Sequence, residues 1–231
     1  MPIIQDEEFG KITIRRSPNA RQVRVRVAPD GTLRASLPMY APMFLVKRLL
    51  KNSRDELRRI MAQSKPQYSY EDGMKVGKSH TLKIIPADEK SASVSRRGLN
   101  IFIKLPAGSK VSNPAIARQI RDAIIAALRI EAKSYLPNRL TFLANKYGYK
   151  YDKVRFSHAS GRWGSCSSNG TISLNIALMK LPFELIDYII VHELSHTKQM
   201  NHSSKFWDTV AIADPDYKLH KRELKSQNPS I

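Results

Sequence analysis

The stretch LIDYIIVHELSH, residues 185–196, limits most narrowly how this chain can fold. Its first seven residues, LIDYIIV, are apolar nearly all round, which indicates a buried helix, and Pro182 suits the first turn of that helix. The same helix carries His192, Glu193 and His196, and polar groups that are buried without partners are costly. The fold must therefore place this helix in a core and also satisfy its polar end.

His192, Glu193 and His196 form the pattern H-E-x-x-H. Residues four apart lie on one face of a helix, so the two imidazoles can converge on a single zinc ion. Zinc lowers the pKa of a bound water, and Glu193 is placed to take the proton of that water as it attacks a carbonyl. We therefore expect one Zn²⁺ per chain, with Glu193 as the catalytic base. The alternative is a pair of histidines that are hydrogen-bonded in a core.

A catalytic zinc ion takes three protein ligands and one water. His202 is the leading third ligand, because it follows His192 by ten residues, as in the metzincin pattern H-E-x-x-H-x-x-G-x-x-H. The chain has Gln199 in place of that glycine, and no later methionine is available for a Met-turn. Asn201 is expected to adopt a left-handed conformation that turns His202 back toward the metal. Glu223 is the alternative third ligand.

The chain is strongly basic, with 39 Lys+Arg against 20 Asp+Glu and a formal net charge of +19. Such a charge attracts polyanions, including nucleotides and nucleic acid. QVRVRV alternates as a half-buried strand, and a turn at Asp30-Gly31 predicts a hairpin with Arg24, Arg26 and Arg34 on its solvent face. We expect non-specific nucleic acid binding through this basic N-terminal half. The alternative is that the basic residues only keep the surface solvated.

The compartment is predicted from the cysteine content and from apolar runs. Cys166 is the only cysteine, so no disulfide can form within the chain, which fits a reducing compartment. The first ten residues lack the basic start and apolar stretch of a secretory signal. No apolar run approaches the length that spans a bilayer. The sequence predicts a cytoplasmic protein with no membrane partner.

Up to residue 110 the pattern is mainly that of β-strands. Residues 11–38 alternate as strands do, and residues 42–63 form an amphipathic helix. A linker-like stretch over 62–73 then precedes two further strand patterns, HTLKII and LNIFIKLP, without a clear sequence repeat. We therefore treat residues 1–110 as a basic, β-rich region with one helix.

From residue 111 onward, the pattern is dominated by helices. SNPAIARQIRDAIIAALRIEAKSYL is a helix with Ser112 or Asn113 as its cap. Pro137 is expected to break or kink it, and a continuation is expected to stop at Gly148. Together with the HExxH helix, this segment predicts a second domain over 111–231 and an α+β fold for the chain.

Three segments, GRWGSCSSNGTISLN, VHELSH and MNHSSKFW, together resemble the YgjP-like metallopeptidase family, which is more distantly similar to SprT-like proteases. The resemblance is strongest over residues 162–217 and extends more loosely to the basic N-terminal region. It implies a metal-dependent hydrolase with a zincin-like C-terminal half, and some family members are described as nucleotide pyrophosphatases. The family usually has a polar or basic residue where this chain has Gly161. The family's zinc ligands are matched by His192, His196 and His202, and its general base is matched by Glu193.

In zincins, a strand beside the active-site helix commonly binds the substrate backbone as an added strand. GTISLN is the candidate for that strand, and the alternative is that it belongs to the core. Arg162 is expected to line the same cleft. The predicted substrate-binding residues are therefore Arg162, Gly170, Thr171, Ile172, Ser173, Leu174 and Asn175.

The remaining residues near these motifs are predicted to have packing roles. Cys166 and Trp163 are expected to be structural, and Phe206 and Trp207 to anchor the following helix in the core. Three residues are candidates for stabilising an oxyanion, each with a surface or packing role as the preferred alternative: His158, Tyr217 and His220.

Zinc-dependent hydrolysis of peptide bonds in a polypeptide substrate is the function that the sequence favours. The first alternative is phosphoanhydride hydrolysis of a nucleotide, as in a UTP-type pyrophosphatase. The second is a nucleic-acid-binding module with a structural zinc ion. A structural zinc site is closed by four protein ligands and needs no base, so Glu193 argues against the second alternative.

Overall fold

The fold is α+β, as predicted, and the chain forms two compact units, Met1–Tyr68 and Ser69–Ile231. The described residues contain three sheets, six α-helices and one 3-10 helix. The predicted turn at Asp30-Gly31 and the centre of the predicted linker, 64–69, lie outside them. The computed structural model describes residues 2–28, 32–63, 70–89 and 91–231.

The first unit is a four-stranded sheet with two helices. The order across the sheet is β1-β2-β4-β3, with β2 and β4 parallel and the two outer pairs antiparallel. One helix was predicted over 42–63, but Ser53 leaves the helical conformation and divides it in two. The elements are β1 (Ile3–Asp6), β2 (Gly10–Ser17), β3 (Arg24–Val27), β4 (Leu33–Pro38), α1 (Phe44–Asn52) and α2 (Arg54–Gln63).

The solvent face of this sheet is basic, as the strand alternation predicts. In the antiparallel pair of β3 and β4, Arg26 lies opposite Arg34 and Arg24 lies opposite Ser36. The three arginines are exposed, whereas Leu33 and its alternate neighbours on β4 are buried. The predicted gathering of the arginines on one face is confirmed.

The second unit begins with a sheet of the same topology. Its order is β5-β6-β8-β7, again with a parallel central pair and antiparallel outer pairs. The pairing pattern of the first unit therefore recurs, although no sequence repeat reveals it. The strands are β5 (Lys75–Val76), β6 (His80–Ala87), β7 (Ser93–Arg97) and β8 (Asn100–Pro106).

A long helix, α3 (Pro114–Tyr147), follows this sheet. Asn113 caps it by accepting a hydrogen bond from the backbone N–H of Ala115 at 3.0 Å, and Gly148 ends it with a left-handed φ of 66°. Both ends agree with the sequence prediction.

A break or a kink was predicted at Pro137, and α3 runs through this residue without a break. A proline inside a helix costs about 3 kcal/mol. The neighbouring Leu136 and Leu140 are fully buried in the core of this unit, and their burial offsets that cost. Packing therefore overrides the local signal.

The boundary between the units differs from the predicted one after residue 110. Leu82, Ile101 and Ile103 of the second sheet share one core with Ile120 and Leu128 of α3, so this sheet belongs to the second unit. Alternation identifies a strand and its apolar face. It does not reveal which helix covers that face.

A third sheet and the last helices complete the second unit. The sheet has the order β10-β11-β9, and α4 is almost entirely buried, as its sequence predicts. None of the helices in the described ranges is both long and apolar enough to cross a membrane. The elements are β9 (Lys153–Ser157), β10 (Gly164–Cys166), β11 (Thr171–Asn175), a 3-10 helix (Ile176–Lys180), α4 (Phe183–Ser195), α5 (Ser204–Ala213) and α6 (Tyr217–Leu224).

Candidate metal centre

Three histidines meet at the C-terminal end of α4. His192 lies in the last turn of this helix, His196 follows its last residue, and His202 returns from the turn that precedes α5. One ligand nitrogen from each ring lies within 4.8 Å of the other two, and Nε2 of His192 is 3.1 Å from Nε2 of His202. Within the described part of the chain, this is the cluster whose side chains could hold a metal ion.

The cluster fits a zinc ion. Two Zn–N bonds of about 2.05 Å in a tetrahedral site place their nitrogens roughly 3.3 Å apart. The 3.1 Å between Nε2 of His192 and Nε2 of His202 is close to that value. Burial lowers the pKa of His192 to about 3, with further lowering by the charges of His196 and His202. The ring is therefore neutral, as a metal-binding imidazole must be.

The backbone of Gln199 orients His196. Nδ1 of His196 lies 3.1 Å from the carbonyl oxygen of Gln199, and a carbonyl can only accept, so Nδ1 carries the proton. Nε2 then keeps its lone pair for a metal. Gln199 stands where the metzincin pattern has glycine, and here its main chain supplies the contact.

The turn to His202 does not use the left-handed conformation predicted for Asn201. Among the described residues no non-glycine residue has a positive φ. The backbone N–H of Gln199 donates to the carbonyl of Ser195 at 3.0 Å, which continues the helical turn beyond α4. The side chain of Asn201 then accepts from the backbone N–H of Ser203 at 3.3 Å. Side-chain hydrogen bonding by Asn201 thus replaces the backbone conformation that we expected.

Aromatic rings pack against the histidines. The ring centroid of the fully buried Phe206 is 4.6 Å from that of His196, 4.8 Å from that of His202 and 5.0 Å from that of His192. Trp207 stacks on His202 at 5.7 Å. The predicted anchoring of α5 in the core is confirmed. The sequence did not show that the same rings would also hold the imidazoles in place.

Glu223, the alternative third ligand, lies on α6 with an exposed side chain. It is not a member of the histidine cluster. His202 joins the cluster, as the ten-residue interval from His192 suggests, and its role as the third ligand stays a prediction.

Glu193 follows His192 on α4 and packs against β10. A Cβ atom added to Gly164 of that strand would lie 2.7 Å from both Cγ and Oε1 of Glu193. Burial raises the pKa of the Glu193 carboxyl to about 7, and the positive charge of Arg162 opposes this rise. The glycine of the RWGSC motif therefore leaves room for the carboxylate. Sequence reasoning did not assign Gly164 this role, although its place in the motif was the available signal.

The sequence of this chain matches one known protein family over most of its length. Residues 21–227 match the family described as "YgjP-like, metallopeptidase domain". The chain belongs to the YgjP-like metallopeptidase family. The resemblance that the three sequence segments indicated is thereby confirmed.

Two solved structures are similar to part of this YgjP-like chain. The metallopeptidase zymogen abylysin of Pyrococcus abyssi shares 30% sequence identity, covers 39% of this chain and 92% of its own, and has a TM-score of 0.36. The metallopeptidase zymogen jannalysin of Methanocaldococcus jannaschii shares 20% identity over 39% of this chain and 93% of its own, with a TM-score of 0.35. No curated protein matches the sequence.

The predicted substrate strand GTISLN is not an edge strand, so strand addition there is ruled out. β11 pairs with β10 on one side and with β9 on the other. Ile172 and Leu174 are fully buried, and the Asn175 amide donates to the carbonyls of Ala159 at 2.6 Å and Arg162 at 2.9 Å. These three predicted substrate residues are structural, in agreement with the core alternative. Alternation alone does not distinguish a central strand from an edge strand.

The other four predicted substrate residues lie on β11 or in the loops that precede β10 and β11. Arg162, Thr171 and Ser173 border a cavity of about 500 Å³. Gly170 forms the turn before β11 with a φ of 74°. β10, whose described pairing is with β11 alone, is the edge strand that packs against α4.

Cys166 is half-buried rather than buried, and burial together with the charge of Glu193 raises the pKa of its thiol. Trp163 packs against the core as expected.

The three oxyanion candidates have separate environments. Nδ1 of His220 lies 2.8 Å from a carboxylate oxygen of Asp214. Tyr217 stacks at 5.3 Å on Trp207, the ring that also stacks on the third histidine of the cluster. Burial lowers the pKa of His158.

Proposed function

We propose that this member of the YgjP-like family is a zinc-dependent metallopeptidase, with a zincin-like fold in its C-terminal half. One zinc ion per chain would be held by His192, His196 and His202. The observation that carries the proposal is the meeting of these three imidazoles beside Glu193, a carboxylate that is not part of the cluster. When bound, zinc supplies Lewis-acid activation of water and of a carbonyl group.

The residues of the chain have separate tasks in this mechanism. The histidines present neutral nitrogens, and the Gln199 carbonyl selects the tautomer of His196. The Glu193 carboxylate accepts the proton of the attacking water and then returns it to the departing amine. Burial raises the pKa of this carboxyl, which favours the return of the proton after it has been accepted.

The strand that receives the substrate is proposed to be β10 instead of β11. β10 has a free edge in the described structure, and its Gly164 lies against Glu193. A peptide added as a further strand would make main-chain hydrogen bonds there and pass close to the base. Hydrolysis would then occur where the peptide passes the histidine cluster.

The other sequence predictions remain proposals of lower rank. Phosphoanhydride hydrolysis of a nucleotide is the enzymatic alternative. Non-specific nucleic acid binding rests on the exposed Arg24, Arg26 and Arg34 and on the net charge of +19. A structural zinc site and a cytoplasmic location also stay predictions.

The test compares the variant Glu193→Gln with the variant Glu184→Gln. The second variant removes an exposed carboxylate at the start of the same helix. Unfolded protein and UTP are offered separately to wild type and both variants, and zinc is measured in each preparation. We expect Glu193→Gln to keep zinc and lose proteolysis, and Glu184→Gln to behave as wild type. UTP hydrolysis that depends on Glu193, with no proteolysis in any preparation, would transfer the function to nucleotides. Loss of zinc from Glu193→Gln would make this residue more than a base.

A further inference from the structure

The outward face of the third sheet forms a polar cavity of about 500 Å³. The register places Lys153 opposite Thr171 and Arg155 opposite Ser173, and Ser173 lies opposite Ser165 on β10. Side chains at these positions point to one face of the sheet, because successive residues of a strand alternate. The face opposite to it carries the buried Ile172 and Leu174.

The charge of the cavity has one sign. Its lining includes Lys153, Arg155 and Arg162 together with serine and threonine hydroxyls, and it includes no carboxylate. Lys153 pairs with Asp152 at 3.2 Å. Neither Arg155 nor Arg162 has an ion-pair or hydrogen-bond partner for its guanidinium among the described residues. Two unpaired guanidinium groups beside hydroxyl donors are suited to carboxylates or phosphates.

The cavity shares strand β10 with the proposed catalytic base but lies on the other face of that strand, because Ser165 is paired with Ser173 and Gly164 with the buried Leu174. Ser165 and Cys166 of β10 contribute to its lining, while Gly164 of the same strand contacts Glu193. A peptide paired with the free edge of β10 would present alternate side chains to the two faces of the sheet. Every second side chain would therefore point to the face that carries Arg155 and Arg162.

We propose that this cavity is a subsite for acidic side chains, which makes acidic polypeptide segments the preferred substrate class. This inference rests on the proposed peptidase function. A Glu side chain on the docked strand extends over Ser165, and Arg155 extends toward it over Ser173 from β9, two strands away from β10. The carboxylate pairs there with Arg155 and Arg162, and the hydroxyls of Ser165 and Ser173 donate to its remaining lone pairs. Phosphate groups share this chemistry, so the experiment includes them as a competing ligand.

The experiment uses the full chain loaded with zinc and matched decapeptides. Each peptide carries Glu, Gln or Lys at every second position and is otherwise identical to the others. In one series the variable positions are the even-numbered ones, and in the other series they are the odd-numbered ones. Cleavage is followed with wild type, Arg155→Gln and Arg155→Glu. The control is Arg118→Gln, which removes an exposed arginine of α3. Binding of the same peptides, of inorganic phosphate and of UTP is measured with the Glu193→Gln protein, which needs no hydrolysis as readout.

We expect the Glu peptides to be cleaved faster than the Gln peptides in one of the two series. Arg155→Gln should lower this ratio of kcat/KM by about fivefold, the upper range for one solvent-accessible ion pair, and Arg118→Gln should not. Arg155→Glu should reverse the order in favour of the Lys peptides. Salt should weaken the preference, because the charges are accessible to solvent.

The outcomes separate this inference from the proposed function. Cleavage without charge preference, or a preference lost equally in Arg118→Gln, overturns the subsite and leaves the peptidase function standing. Binding of the Glu peptides that depends on Arg155, without cleavage of any peptide, supports the subsite and refutes the peptidase. Binding of phosphate or UTP through Arg155, with no binding of the Glu peptides, overturns the acidic-peptide subsite in favour of a nucleotide. Neither binding nor cleavage of any peptide overturns both.

Discussion

Gly164→Ala should separate the effect of the proposed catalytic base from that of the proposed metal ligands. The added Cβ would lie 2.7 Å from Cγ and Oε1 of Glu193, and ordinary contacts for such an atom begin at 3.4 Å. The Glu193 side chain must therefore move by about 0.7 Å, since its carboxylate is the mobile partner and β10 is held by β11. A displacement of about 1 Å in a catalytic group costs on the order of a hundredfold in rate. We expect kcat/KM for a peptide to fall by about 30- to 100-fold.

The assay measures peptide hydrolysis, zinc content and thermal unfolding of each purified variant. Gly161→Ala is the matched control, because a Cβ at Gly161 would meet nothing within 4 Å and this glycine has no positive φ. Gly164→Ala should keep its zinc, since the three atoms nearest to the added Cβ all belong to Glu193 and none belongs to a histidine. Gly161→Ala should keep both zinc and activity.

Two results would refute this reasoning. A Gly164→Ala protein with wild-type activity and full zinc would mean that the position of the Glu193 carboxylate does not govern the rate. A variant that loses zinc together with activity would mean that the strand supports the metal site itself. A change in folding would appear as a lowered Tm, and kcat/KM is therefore compared well below the transition.

Three further predictions concern the metal, a turn and the basic face. His202→Ala should weaken zinc binding by about two orders of magnitude, and Glu223→Ala by less than twofold, as measured by competition with a chelator. Gly77→Ala should lower the free energy of unfolding by about 2 kcal/mol more than Gly98→Ala in a denaturant titration. Both glycines have a positive φ, but only at Gly77 would a Cβ lie 2.2 Å from Oε2 of the buried Glu131; equal losses would show that this contact is unimportant. Replacing the three exposed arginines of β3 and β4 with alanine should flatten the slope of log K against log salt for duplex DNA by about 2.7; an unchanged slope would exclude this face.

Some features of the second unit were predictable because their causes lie close together in the chain. The cap at Asn113 and the stop at Gly148 depend on a few neighbouring residues. The four-residue spacing of His192 and His196 places them on one helical face wherever the helix lies. His202 was predicted from its interval alone, because a helix end followed by a short turn leaves few places for the next histidine.

Other predictions failed because packing or an unseen contact overrode a local signal. Pro137 continues a helix whose neighbouring leucines are buried. Asn201 shapes its turn through a side-chain hydrogen bond in place of a left-handed backbone. In both cases the local preference of the residue type was interpreted correctly. The surrounding packing and hydrogen bonds favoured a different backbone conformation from the one that this preference predicts.

The sequence by itself determined which residues are proposed as the metal ligands and as the base, since helix periodicity and a short turn bring them together. Only the tertiary structure decided what surrounds them. Gly164 is 29 residues from Glu193 along the chain, yet it limits where the carboxylate can lie. Strand order made β11 central and left β10 with a free edge, and it placed Arg155 of β9 in one cavity with Ser165 of β10, two strands away. Periodicity within a segment reports which face is apolar, whereas neighbours across a sheet or between a helix and a strand depend on how distant segments pack.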